Sequence, residues 1–154
     1  MDIQLGAPGQ IIPPVDRGIS LGIKMEELGY DALWWPDHLM GWHPDAMWNE
    51  EFTPLAKHQP SSHVHVDPFA MMAAIGAQTE RIRVGTCVTD LLRRHPASIA
   101  QTMLTLDHMT KGRAILGLGS GEQLNIQPYG IEWTKPVAKL AEGLEVIRLL
   151  MNAG

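Results

Sequence analysis

Cysteine is nearly absent from this 154-residue chain. Cys87 stands alone, which excludes an intramolecular disulfide framework. Clusters of positive charge are missing as well. Seventeen acidic residues face 12 basic ones, for a formal net charge of −5, and no run of Lys and Arg breaks that balance. General nucleic-acid binders and proteins held on anionic lipid both need clustered Lys and Arg, so both classes are disfavoured. No apolar run approaches the roughly 18 residues of a membrane helix, so no membrane insertion is expected. The opening Met1-Asp2-Ile3-Gln4 has neither the basic region nor the apolar core of a signal peptide. A cytoplasmic protein is the expectation. What is present is ordinary for a folded domain: 45% hydrophobic and 19% charged residues.

The residues alternate between two patterns. Ile3–Ala7 is a short apolar run bounded by Pro8 and Gly9, and reads as a strand. Val15, Ile19, Gly22 and Ile23 follow at helical spacing, with Gly29 as a stop. Asp31–Pro36, carrying Trp34 and Trp35, reads as a buried strand. Asp67-Pro68 predicts a capped helix running to about Thr79. Ile82–Thr89 is β-branched and predicts a strand. His95-Pro96 opens a helix with Ile99, Met103 and Leu106 on one face, ended by Lys111-Gly112. Ala114–Leu118 predicts another strand. A final helix spans Pro136 to Met151, with Val137, Leu140, Leu144, Ile147 and Met151 as its apolar stripe.

Strand–helix thus recurs four times, which implies parallel strands and right-handed crossovers. Continuous apolar strands suit a sheet covered on both faces. Residues 39–66 do not fit, lacking periodicity, and loops of that length are usually functional. Set aside that insertion and the rest amounts to about four units at roughly 31 residues each, half of an eight-unit barrel of about 250 residues. A small doubly wound sheet is the alternative. The expected domain is one half-barrel over 1–154.

In parallel α/β proteins the chemistry gathers at the C-terminal ends of strands. Three predicted strands end in reactive residues: Asp37-His38 with Trp42 four further on, Thr86 to Asp90, and Gly119-Ser120-Gly121-Glu122. Parallel strands would bring all three to one rim. Glu122 is the leading general acid or base. A carboxyl partly buried beside an aromatic cofactor has its pKa raised, which suits proton donation near neutrality. The plainer reading is a solvated carboxylate. His38 could donate a hydrogen bond or a proton, or be a structural histidine held by Asp37 or a backbone carbonyl. Trp34 and Trp35 face opposite sides of their strand, so at least one is expected in the core. Trp42, beyond the strand, is the better candidate for a ligand wall.

Three other chemistries are weaker. Gly117 to Gly121 invites a dinucleotide reading, but the third glycine of the motif would fall on Glu122 or Leu124. His58, His63 and His65 could ligate a metal, yet they lie in the insertion, with no acidic set to match; no metal is expected. Cys87 has no evident base beside it, so a thiol nucleophile is not expected.

The run Ile82 to Asp90, then Arg94-His95-Pro96-Ala97, Gln101, Thr105-Leu106 and Gly112 to Glu122, resembles the luciferase-like superfamily. More narrowly it resembles the branch that uses the deazaflavin coenzyme F420. Pro128 to Ala138 is similar to the phthiodiolone ketoreductase group of that branch. The resemblance implies a (β/α) TIM barrel with the cofactor at its C-terminal rim. It implies that His38 and Trp42 flank the deazaflavin ring and that Glu122 moves the proton. It implies a non-proline cis peptide between Cys87 and Val88 behind the ring, and Asp37, Ser120, Gly121 and Asn125 around it. The implied reaction is hydride transfer between F420 and a carbonyl or alcohol substrate. If flavin mononucleotide (FMN) is the cofactor instead, monooxygenation is expected. In that family the cofactor phosphate is held by the second half of the barrel, so a missing C-terminal half or a homodimer partner is expected. A non-catalytic half-barrel binding module is the remaining alternative.

Overall fold

The computed structural model describes residues 3–41 and 43–152. Its strands are β1 (Gly6–Pro8), β2 (Ala32–Trp35), β3 (Arg83–Thr86), β4 (Thr89–Asp90), β5 (Ala114–Ile115) and β6 (Leu118–Gly119). Its helices are α1 (Val15–Glu27), α2 (Pro68–Gly76), α3 (Pro96–Thr110), α4 (Gln123–Ile126) and α5 (Pro136–Met151). All strand pairs are parallel. β1-β2-β3-β5 forms one sheet, and β4-β6 continues the β3–β5 ladder as a second.

Burial explains the arrangement. Leu33, Trp35 and Val84 meet the helices, whose Phe69, Met72, Ile75, Ile99, Met103 and Leu106 complete the core. α2 is buried nearly all round, lying between the sheet and its neighbouring helices. Its start is as expected, with the Asp67 carboxylate accepting from the Ala70 N–H at 3.0 Å. α3 starts the same way, the His95 Nδ1 accepting from the Ala97 N–H. Trp35 is the core tryptophan; Trp34 lies on the other face, over Gly6 and Gly85.

Strands are shorter than their apolar runs. The run expected as one strand over 82–89 is two, β3 and β4, separated by a cis peptide at Cys87–Val88. Thr86 bridges the gap: its Oγ1 accepts from the Gly117 N–H at 2.9 Å and donates to the Gly117 carbonyl at 2.8 Å. Gly117 is required there, because a Cβ would stand 2.1 Å from the Thr86 carbonyl oxygen. β1 begins at Gly6 rather than Ile3. Asp31 intervenes, its carboxylate accepting the Leu5 N–H, so Ile3 and Leu5 stay exposed. α2 stops at Gly76, three residues early, where the Arg113 guanidinium takes its carbonyl.

The stripe expected on α5 is only partly buried. Gly143 and Ile147 are covered, while Val137 is 71% exposed and Met151 also faces outward. Among the helices α5 packs chiefly on α3, with Gly143 set against Leu91 and Pro96. The insertion folds as two single turns, Asp45–Met47 and Pro54–Lys57. Trp48 Nε1, donating to the Gln59 carbonyl, joins them.

Candidate active site

Because the strands are parallel, the ends of β2, β4 and β6 converge. Between them lies a cavity of about 300 Å³. Asp37, His38, Cys87, Val88, Ser120, Gly121, Glu122 and Asn125 all line it, together with Thr89, Asp90, Arg93 and Gly119. Of the residues expected from sequence, only Trp42 is missing from this set, and it lies outside the described residues.

His38 and Glu122 face each other, Nε2 to Oε2 at 4.0 Å. Their environments differ sharply. The His38 side chain is 12% exposed and that of Glu122 is 63% exposed. The partial burial expected for Glu122 is therefore absent, because the carboxylate leaves the Gly119–Gly121 turn toward solvent. Burial holds the His38 pKa below the ordinary histidine value. The Glu122 carboxylate opposes that shift and the Arg93 cation supports it. His38 is thus neutral near pH 7, with one ring nitrogen able to donate and the other to accept. The His65 ring stacks on it, with centroids 5.9 Å apart and planes 19° from parallel.

Asp37 is buried and its carboxylate is committed. It accepts from Thr89 Oγ1 at 2.7 Å, from Arg93 Nη1 at 3.2 Å and from Arg94 Nε at 3.2 Å. The alternative in which Asp37 orients the His38 ring therefore has no support in these bonds. Asp37 instead fixes the backbone that carries His38. Arg93 also donates to Asp90, and Arg94 pairs with Asp67 at the start of α2 while covering the Phe69 ring. Asn125 is buried, and its Oδ1 accepts the Leu39 N–H at 2.8 Å, which ties α4 to the segment after His38. Tyr129 donates to the Leu39 carbonyl from the same side.

The floor of the cavity is apolar. Val88 and Cys87 are exposed into it, and Gly119 leaves room for the valine, since a Cβ there would come within 2.8 Å of Val88 Cγ2. Gly121 holds φ +84° and turns the chain so that Ser120 and Glu122 stand at the rim. The lining thus combines the exposed Val88 and Cys87 with an imidazole, a hydroxyl and a carboxylate at the rim. Among the described residues no three His, Cys, Asp or Glu side chains group as metal ligands. His63 pairs with Asp45, and His65 with His38. The glycine run leads into the four-residue α4, too short for a dinucleotide helix.

The sequence reading passed over Arg93, took Thr89 only as part of the reactive strand end and weighed His65 only as a metal ligand. Arg93 had a signal, since an Asp–x–x–Arg spacing from Asp90 closes an ion pair within one turn. His65 had none, because nothing in an aperiodic loop says which residue folds back.

The parallel α/β sheet thus gathers these residues on the C-terminal rim of its strands. The sequence model described as luciferase-like monooxygenase matches residues 3–154, and the chain belongs to that family. It is 42% identical over 144 residues to a phthiodiolone/phenolphthiodiolone dimycocerosates ketoreductase of Mycobacterium tuberculosis. That match covers 92% of this chain and 38% of the relative. It is 35% identical over 132 residues to an F420-dependent glucose-6-phosphate dehydrogenase of Nakamurella multipartita, covering 85% of this chain and 34% of that one. Among solved structures it superposes on an F420-dependent secondary alcohol dehydrogenase in complex with an F420–acetone adduct. The TM-score is 0.74 at 28% identity, over 97% of this chain and 42% of that one. The fold is thus part of a luciferase-like TIM barrel, and the chain spans well under half the length of the relatives it matches. Among the described residues no helix is long and apolar enough to cross a membrane.

Proposed function

We propose that the chain forms the reacting wall of a deazaflavin-dependent oxidoreductase acting on a carbonyl or alcohol carbon. The observation that carries this is the His38–Glu122 pair, 4.0 Å apart over the apolar floor at Val88. Coenzyme F420, when bound, supplies or accepts a hydride at its C5 position. Val88 and Cys87 would support the ring from behind and His38 would flank it, the resemblance implying a part for Trp42 as well. Ser120, Gly121 and Asn125 border its edge, and Asp37 sets the backbone beneath. Reduction of a ketone adds one hydride to carbon and one proton to oxygen. Glu122 holds that proton and delivers it to the oxygen; in the oxidising direction it receives it. Neutral His38 donates a hydrogen bond to the same oxygen and polarises it. A bound ring would have to shield the Glu122 side chain, which is 63% exposed on its own.

The reading includes further barrel strands. β1 and β5 stand at the two sheet edges, and an exposed edge in this fold is covered by another strand. Those strands come from the second half of the same barrel or from a second copy of the chain. In this reading residues 1–154 are the N-terminal half of one barrel, working in the cytoplasm. The test is a fluorescence titration with F420 and, in parallel, with FMN, of the chain alone and of the chain joined to a C-terminal barrel half. Saturable binding of F420 in preference to FMN supports the proposal. A preference for FMN moves it to monooxygenation, and binding of neither overturns it.

A further inference from the structure

The insertion returns to the sheet at His65, and its return is tied down on both sides of that residue. Before it, Gly41 packs on Ser62 so closely that a Cβ on the glycine would collide with the Ser62 carbonyl oxygen. After it, the Val66 N–H donates to the Ile11 carbonyl at 2.9 Å, and Asp67 caps α2. Arg94 then bridges the segments that carry the two histidines. It donates to Asp37, one residue before His38, and to Asp67, two residues after His65.

His38 is fixed at its backbone as well. The Asp37 N–H donates to the Val88 carbonyl at 3.3 Å, and the Leu39 N–H to Asn125 Oδ1 at 2.8 Å. Those bonds set where the imidazole leaves the chain, and what lies against its face sets its plane. His65 lies there, with ring centroids 5.9 Å apart and planes 19° from parallel, a spacing within the range of offset stacking. Nε2 of His38 meanwhile faces Glu122 at 4.0 Å. His65 does not line the reacting cavity. It lines a second cavity, of about 460 Å³, between the insertion and the segment after β1, along with Arg17, His43 and His58.

We infer that His65 is a positioning residue for His38: its ring covers the face of the His38 imidazole and holds its plane, so that Nε2 stays directed at Glu122 and at the oxygen that reacts beside it. The inference rests on the oxidoreductase reading for the use made of His38. The insertion over 39–66 then sets the geometry of the reacting pair from outside the reacting cavity.

A histidine suits this place because it can be covered while neutral. Burial is the first cause holding the His65 pKa below the ordinary value; His38, His63 and His43 add to it, and a hydrogen bond with the Ser62 backbone opposes it. His63 is itself paired with Asp45. Around His38 stand the carboxylates of Glu122, Asp37 and Asp90 and the Arg93 guanidinium, and burial again is the first cause of its lowered pKa. Uncovering the His38 face removes part of that burial, so the ring should titrate closer to the ordinary value of about 6.5.

The test follows the His38 Cε1–H resonance against pH by NMR in the chain without cofactor, the signal being the one lost in His38→Gln. His65→Ala is expected to move the His38 pKa up toward about 6.5. His65→Phe, which keeps a flat ring, is expected to hold it at the wild-type position. His65→Gln removes the ring where the alanine variant does not fold. In the chain joined to a C-terminal barrel half, turnover of 2-butanone with reduced F420 is expected to fall about tenfold in His65→Ala and to recover in His65→Phe. A His38 titration unchanged by Ala and Gln, or shifted as far by Phe as by Ala, overturns the inference, as does turnover indifferent to the loss of the ring. A shift restored by Phe in a joined chain that binds no F420 sinks the oxidoreductase reading and leaves the positioning of His38 standing. F420 binding with a His38 titration indifferent to His65 does the reverse.

Discussion

Two side chains at the cavity rim divide the work by their surroundings. Glu122 stands in solvent, its side chain 63% exposed, and His38 is held neutral from within the protein. Glu122→Gln keeps the shape and removes the proton, so turnover should fall by about 100-fold or more while cofactor affinity changes less than about threefold. Steady-state kinetics beside the fluorescence titration would check both, and unchanged turnover would remove Glu122 from the mechanism. The histidine pair gives a pH signature. Burial is the largest cause depressing the pKa of both His38 and His65. For His65 the neighbouring His38, His63 and His43 add to it; for His38 the carboxylates of Glu122, Asp37 and Asp90 oppose it and Arg93 adds to it. The unfolded chain therefore binds protons first as pH falls. Stability is whole above about pH 6.5 and declines as pH drops below it, toward the lowered folded values. A melting temperature that drops from pH 7 to pH 5, and drops less in His65→Phe, is the expected result.

Element boundaries follow from a few polar ties that bind one segment to another. The Arg113 guanidinium donates to the carbonyls of Gly76, Thr79, Ile82 and Thr110 and to Thr79 Oγ1. It thereby closes α2, opens β3 and anchors β5. Arg113→Ala strands several of those carbonyls and should cost about 3 kcal/mol, read as a shift in urea midpoint. Arg113→Lys, which lacks the planar fork, should recover little of it. Glu26 plays the matching part on α1, its carboxylate accepting the N–H groups of Glu80, Arg81 and Ile82. Burial raises its pKa, but those amides outweigh it and hold it below the usual carboxylate range. Glu26→Ala should cost about 1–2 kcal/mol. Such ties are also where sequence reading stops. The alternation of four strand–helix units was legible, because apolar periodicity is local. So were the caps at Asp67 and His95, and the gathering of His38, Val88 and Glu122, since parallel strands fix which ends meet. The reach of Arg113 to α2, the break in the strand at Cys87–Val88 outside the family resemblance, and the fold of His65 onto His38 all join distant segments without a periodic mark. The α5 stripe misled for a related reason: periodicity shows that a face is apolar and says nothing about whether a partner covers it.

At the scale of the whole molecule, apolar surface and open edges occur together. α5 presents Val137, Leu149 and Leu150 outward, Leu149 at 73% exposure, while β1 and β5 end the sheet. Sedimentation of the chain should show association that strengthens with concentration, and Leu149→Glu with Leu150→Glu should weaken it; a monomer at all concentrations would count against any covering copy. The parallel topology has a further effect. Each of α1, α2, α3 and α5 follows a strand, so each begins near the rim where both cavities open. Helix starts carry partial positive charge, roughly half a unit each before screening. At α1 and α2 a carboxylate already answers that charge: Asp16 stands in the first turn of α1 and Asp67 caps α2.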